Sequence, residues 1–311
     1  MSNRVLIAGA SGQLGPSVTR AFRDAGWHVS TLQRRPCETD GDANITLAGE
    51  WTGKALAQAT AGVAAEVVVN LVGAGVDPGT RQPAALEAVN VALAGRLADL
   101  AARVGARAFI TLGSGAEYQP SSQARLREEA AVNAADPYGR SKAEGGRQAL
   151  ARCAAHGIAG AHLRLFGMYG ESERPHRLLP TIVRAQREGG RARLSAGLQQ
   201  RDWLYERDIG EAVLELARAL LAGRAEAGVY NLGSGHANTV RRFAEIAAEA
   251  LGAGPDLLEF GAVGLREGEA DRLVADTSRL RAATGWSPRE DLHSGIARAI
   301  ATMVRNGSGT G

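Results

Sequence analysis

The sequence predicts an α/β fold, a doubly wound parallel sheet with a smaller mixed α/β lobe toward the C-terminal end, on three observations. Short apolar runs alternate with segments of helical period, a glycine-rich turn follows the first run, and the alternation loosens beyond about residue 170. Five runs read as strands, at 4–10, 28–34, 66–73, 106–113 and 160–166. Between them, 14–25, 51–62, 83–105 and 138–157 carry Leu, Val and Ala at helical spacing and mostly end in Gly, a common helix stop. Such alternation needs crossover connections, which make the sheet parallel and cover both of its faces with helices. In the second half Pro175 and Pro180 frame a loop, and helices are predicted at 179–188, 208–221, 240–251 and 292–305. The chain therefore divides into 1–170, a sheet domain that also receives later segments near 203–235, and 171–311, mainly the second lobe.

With 311 residues, 45% of them hydrophobic and 22% charged, the chain is long enough to bury a sizeable core. The net charge is only +3, and Arg and acidic residues are interleaved along the helices, so nucleic acid is not an expected partner. Cys37 and Cys153 have no metal-ligand spacing and imply a reduced compartment, with no metal expected. The first residues run straight into a strand, without a signal-peptide core or an apolar stretch of membrane-spanning length. A cytoplasmic protein with no membrane association is expected.

The turn Gly9-Ala10-Ser11-Gly12-Gln13-Leu14-Gly15 follows the run Val5-Leu6-Ile7-Ala8 and opens a helix. Glycines there allow a tight turn and close backbone approach to a pyrophosphate at a helix N-terminus. The second strand ends in Thr31-Leu32-Gln33-Arg34-Arg35, with no carboxylate until Glu38. Guanidinium groups at Arg34 and Arg35 suit the 2′-phosphate of NADP, so NADP(H) is favoured over NAD(H); two solvated loop arginines are the alternative. In Pro137-Tyr138-Gly139-Arg140-Ser141-Lys142, a phenol and an ammonium stand four residues apart at a helix start, on one face. A nearby ammonium would pull the phenol down from about 10, toward acid–base work near neutrality.

The glycine turn, Ser114 at the end of the fourth predicted strand and Tyr138-x-x-x-Lys142, in that order, resemble the extended short-chain dehydrogenase/reductase family. This family comprises NAD(P)-dependent nucleotide-sugar epimerases, dehydratases and reductases. Further likeness lies in Asn70-Leu71-Val72-Gly73, Val89-Asn90, Leu163-Arg164-Leu165-Phe166-Gly167-Met168-Tyr169-Gly170, Arg201-Asp202-Trp203, Tyr230-Asn231-Leu232-Gly233 and Ala275-Asp276-Thr277-Ser278. The resemblance implies a Rossmann-type NAD(P) domain, a substrate-binding C-terminal lobe, and catalysis by Ser114, Tyr138 and Lys142. It implies cofactor contacts from Gly9, Ser11, Gly12, Gln13, Leu14, Gly15, Arg34, Arg35, Leu71, Gly73 and Asn90, with Tyr138 and Lys142. Ser114, Arg201 and Arg266 would meet a nucleotide-diphosphate sugar, although each Arg also reads as an ion-pair partner of a neighbouring acid, Asp202 or Glu267. A homodimer through helices near 84–104 and 139–155 is implied as well.

Departures from the family pattern narrow the reaction. Dehydratases of this kind place an Asp-Glu pair directly after the hydroxyl residue, where this chain has Gly115-Ala116. Relatives that epimerise neighbouring carbons before reduction use a Cys two residues after the Ser, where Ala116 stands. Gly167 replaces an Asn that many relatives use on substrate. The expected reaction is NADPH-dependent reduction of an NDP-4-keto-6-deoxyhexose at C4. An NAD-dependent 4-epimerase is the alternative, and a non-catalytic NADP-binding sensor a third reading.

Overall fold

The computed structural model describes residues 3–36, 41–265 and 269–307. Its first half is built from β1 (Arg4–Ala8), α1 (Gly15–Asp24), β2 (His28–Gln33), β3 (Ala43–Thr46), α2 (Gly53–Ala59), β4 (Val67–Asn70), α3 (Pro83–Leu86), α4 (Leu93–Arg103), β5 (Ala108–Ser114), α5 (Pro137–Ala155) and β6 (Ala159–Leu165). The second half adds β7 (Gly167–Tyr169), α6 (Leu178–Arg187), β8 (Ala192–Leu194), β9 (Gln200–Tyr205), α7 (Glu206–Leu221), β10 (Gly228–Leu232), β11 (Ala237–Thr239), α8 (Val240–Ala250), β12 (Leu258–Phe260), β13 (Arg272–Leu273), α9 (Ser278–Thr284) and α10 (Leu292–Gly307).

Seven strands form one parallel sheet in the order β3-β2-β1-β4-β5-β6-β10. The chain winds outward from β1 to β3, then crosses over and winds the other way from β4, so the direction reverses between β1 and β4. A crevice opens at the carboxyl ends of strands at such a reversal, and ligands of this architecture bind there. Successive side chains of β1 serve opposite faces. Val5 and Ile7 pack with Val18 and Phe22 of α1 and Ile209, Val213 and Leu216 of α7, while Leu6 and Ala8 face Leu56 of α2 and Leu93 and Leu97 of α4.

Two strands of this sheet are not among the five predicted from apolar runs. β3 reads Ala-Asn-Ile-Thr and is only partly buried at the sheet edge, so it lacks an apolar signal. β10 lies at the opposite edge, beside β6, and follows α7. The helix expected over 83–105 is interrupted at Glu87–Ala92 by a π-type widened turn between α3 and α4. An extra residue per turn rotates the following side chains, and Asn90 sits in this turn, buried.

In the second lobe β9 is central, antiparallel to β11 and parallel to β13 and β7, while β8 and β12 pair separately. A third core of Tyr169, Leu179, Ile182, Phe243, Ile246, Ile296 and Ile300 holds it together. Among the described residues no helix is long and apolar enough to cross a membrane.

Candidate active site

The first βα connection is a chain of tight turns. Gly9 has φ +86° and its amide donates to Leu32 O at 2.8 Å, the Gly12 amide donates to Gly9 O at 2.9 Å, and the Gly15 amide donates to Gly12 O at 3.0 Å. Only Gly takes a positive φ without strain. Helix α1 starts without a side-chain cap, and Pro16 brings no amide to its first turn. Ser11 and Gly12 are exposed there, whereas Gln13 carries a buried Nε2 with no hydrogen-bond partner among the described residues. At the end of β2, Gln33 is only 1% exposed, and neither atom of its amide has a partner among the described residues. Orphaned amides are costly. Two of them flanking a phosphate-sized turn suit a ligand that brings polar atoms of its own, and a dinucleotide fits. Gln33 is absent from the residues singled out by sequence, because a neutral amide there carries no charge signal. Arg34 and Arg35 follow it, exposed.

Ser114 ends β5 and caps the next turn, its Oγ accepting from the Ala116 amide at 3.2 Å. Tyr138 enters on the first turn of α5, which starts at Asp136-Pro137 as capping chemistry favours: Asp136 accepts from the Tyr138 and Gly139 amides, both at 3.2 Å. A Cβ on Gly139 would lie 2.0 Å from Ala116 O, so its absence lets α5 sit directly on the Ser114 turn. The Ser114 hydroxyl stands close enough to the Tyr138 phenol to act on its proton affinity. Burial pushes the phenol above its ordinary value, against the pull of Ser114 and of the Arg81 guanidinium. That guanidinium lies 4.7 Å from the Tyr138 ring centroid and bonds Gly75 O and Asp136 Oδ1, each at 3.1 Å. Arg81 thus ties the loop after β4 to the start of α5, a role its place in a loop does not announce.

Lys142 shares this face but does not lower Tyr138 as its spacing suggests. Its Nζ donates to Leu112 O at 3.1 Å, and burial rather than a neighbouring cation governs the phenol. Burial also pulls the Lys142 ammonium down to about 8, with the Glu117 charge opposing. The unfolded chain therefore holds this proton more tightly. The resulting cost to folding, about 3 kcal/mol, is complete below pH 8, shrinks as the pH rises toward about 10.5, and vanishes above it. Lys142→Met is expected to stabilise the protein at pH 7 by about 2 kcal/mol after the orphaned Leu112 carbonyl is counted. Urea titrations at pH 7 and near pH 10.5 check this, and a variant weaker than the parent at pH 7 contradicts it.

Asn90 points into the same place from its widened turn. Oδ1 accepts from the Ala74 amide at 2.9 Å, and Nδ2 donates to Ala74 O at 3.1 Å and Ser141 Oγ at 2.9 Å. It ties the loop after β4, which contains Leu71 and Gly73, to α5. A Cβ on Gly73 would lie 2.7 Å from Lys142 Nζ, so a side chain there would displace the ammonium from its place. Below Ser114, Glu117 is fully buried between the Ser114 amide, His162 and Arg164.

Arg201 pairs with Glu269 at 2.7 Å, not with adjacent Asp202, whose carboxylate turns inward. Arg266 lies outside the described residues, as does Cys37. Cys153 is buried in α5, and burial pushes its thiol up to about 12, which leaves it inert. At Gly167 an added Cβ would lie 2.1 Å from Asp202 O. This backbone excludes a side chain, which accounts for the missing Asn.

A family model described as the NAD dependent epimerase/dehydratase family matches residues 5–233. The dTDP-glucose 4,6-dehydratase of Streptomyces griseus is 29% identical over 206 residues, 66% of this chain and 61% of that protein. The UDP-glucose 4-epimerase of Mycolicibacterium smegmatis is 27% identical over 217 residues, 68% of this chain and 67% of that protein. This chain thus spans about three-fifths of the length of the first of these relatives. Among solved structures, MoeE5 in complex with UDP-glucose and NAD superposes with a TM-score of 0.85 at 25% identity, over 98% of this chain and 99% of that one. With a match over most of its length and a glycine turn, a Ser114–Tyr138 contact and Lys142 at the carboxyl ends of one parallel sheet, the chain belongs to the NAD dependent epimerase/dehydratase family.

Proposed function

We propose that the protein is an NADPH-dependent reductase of a nucleotide-activated sugar, acting at C4 of an NDP-4-keto-6-deoxyhexose with Tyr138 as proton donor. The observation that carries this reading is the buried phenol beside Ser114 at the crevice. The coenzyme would lie against Gly9, Ser11, Gly12, Gln13, Leu14, Gly15, Leu71 and Gly73, and would supply the hydride. Burial keeps Tyr138 protonated, the form that gives a proton to a carbonyl oxygen as it becomes an alcohol. Ser114 would hydrogen-bond the same oxygen, and Lys142 would hold the ribose. Arg201 and Arg266 would meet the diphosphate, Arg201 exchanging Glu269 for phosphate. Water loss lacks an acid–base pair, because Gly115 and Ala116 follow Ser114 and Glu117 is sealed away. A panel of nucleotide-linked 4-keto sugars, followed by loss of NADPH absorbance, tests the reaction; no turnover across it would retire the reductase.

Gln33, Arg34 and Arg35 put no carboxylate at the end of β2, which supports NADPH over NADH. Replacing Arg34 and Arg35 by Ala is expected to weaken NADPH binding by about tenfold or more and to leave NADH binding within about twofold. Fluorescence titration measures both, and equal affinity in the parent would remove the preference. The epimerases among the relatives and the NAD named with MoeE5 support a second reading, an NAD-dependent 4-epimerase. Purified protein that retains NAD and ignores NADPH would select it. A homodimer through α4 and α5 belongs to the same proposal. Their charged groups Arg96, Arg147 and Arg152 are already paired within the chain, so sedimentation velocity at about 0.1 M salt is expected to show a dimer. A monomer at low salt would exclude the dimer.

A further inference from the structure

Glu117 stands three residues beyond Ser114 and has no exposed surface. Its Oε1 accepts the Ser114 amide at 2.8 Å and faces His162 Nε2 at 2.9 Å, while Oε2 accepts Arg164 Nε at 2.7 Å. The His162 ring fits only because two neighbours lack side chains: a Cβ on Gly113 or Gly146 would lie 2.5 Å from it. Gly146 is one helical turn beyond Lys142 on α5, so the ring packs under the helix that carries Tyr138 and Lys142. An ionised carboxylate only accepts, so His162 Nε2 donates to it, and Nδ1 has no partner among the described residues. Burying such a cluster is an expensive way to fill a core, since apolar residues of similar volume are often as stable or more so. Stability therefore does not account for it.

We propose that Glu117 is a positioning residue for the chemistry at Ser114, Tyr138 and Lys142: clamped by His162 and Arg164, its carboxylate fixes the Ser114 backbone at the end of β5, the strand whose Leu112 carbonyl holds Lys142. The proposal deepens the reductase reading and rests on it for its kinetic half. Burial works to raise the Glu117 carboxyl, yet His162, Arg164 and the Ser114 amide together hold it below the ordinary range, so it stays charged. That charge raises the proton affinity of both Tyr138 and Lys142. The other groups facing Tyr138 are Ser114 from β5, Arg81 from the loop after β4 and Asp136 at the start of α5. Lys142 faces the Leu112 carbonyl and Glu117.

The sequence contains only two lysines, Lys54 and Lys142, so protein labelled with 13C at lysine Cε reports Lys142 directly, and a Lys54→Arg variant assigns the signal. In Glu117→Gln the Lys142 transition is expected to move below its parent position of about 8, and kcat to fall at least about tenfold with KM and NADPH affinity within about twofold. An unmoved Lys142 transition, or a kcat within about twofold of the parent, overturns the proposal. Should Glu117→Gln fail to fold, His162→Asn leaves the Arg164 pair in place. A severalfold loss of kcat there, with Lys142 titrating as in the parent, supports the positioning role, and parent-like turnover defeats it. A parent that reduces no nucleotide-linked ketone, while Lys142 still moves in Glu117→Gln, removes the proposed reaction and leaves the coupling standing.

Discussion

Turnover of a Tyr138→Phe variant is expected to fall about a thousandfold, close to 4 kcal/mol of barrier, while NADPH affinity stays within about threefold. Phenylalanine keeps the ring, and with it the contact to the Arg81 guanidinium at 4.7 Å, so the fold and the start of α5 survive. Only the hydroxyl beside Ser114 is lost. Because burial holds the parent phenol above its ordinary value, the proposed proton donation is expected to continue through the neutral range, and the direction that needs a phenolate to gain as the pH rises. Single-turnover measurement of NADPH oxidation against a saturating ketone separates this loss from binding. A variant within about tenfold of the parent would remove Tyr138 from the chemistry.

The largest expected loss of stability is at Asp202, beside the arginine first noticed in the sequence. Its carboxylate accepts from the Ser234 amide at 2.6 Å, the Ser234 hydroxyl at 2.7 Å, the Gly235 amide at 2.9 Å and the Ala275 amide at 3.1 Å. It thereby ties β9 to the loop after β10 and to the segment after β13. Burial pushes this carboxyl up, and the four donors pull it back. Asp202→Ala leaves three backbone amides without an acceptor, so a loss of about 3–5 kcal/mol is expected. For a chain of 311 residues that lowers Tm by about 5–8 °C. Asp202→Asn keeps one acceptor oxygen and is expected to lose less. Equal melting of parent and Asp202→Ala would show that these amides find other partners.

Much of this could be read locally. The glycine turn after β1 and the apolar runs of β1, β2, β4, β5 and β6 announce a parallel sheet, because a fully buried strand must be apolar and a crossover must be helical. Asp136-Pro137 announces the start of α5, and with it the shared face of Tyr138 and Lys142. The edge strand β3 carried no such signal, since Asn44 and Thr46 have no need to be apolar where one side of the sheet ends. Gln33 carries no charge to announce its burial at the end of β2.

By itself, then, the sequence determined the parallel sheet and the glycine turn, and placed Ser114 at a strand end and Tyr138 and Lys142 on one helix, since periodicity, turns and caps are properties of a few adjacent residues. The electrostatics came only with the tertiary structure. Lys142 turns to a carbonyl 30 residues away instead of to the phenol, Arg201 pairs with a carboxylate 68 residues on, and Glu117 finds His162 at a separation of 45. Burial and the partners that packing supplies set the charge of each group, and neither is visible along the chain.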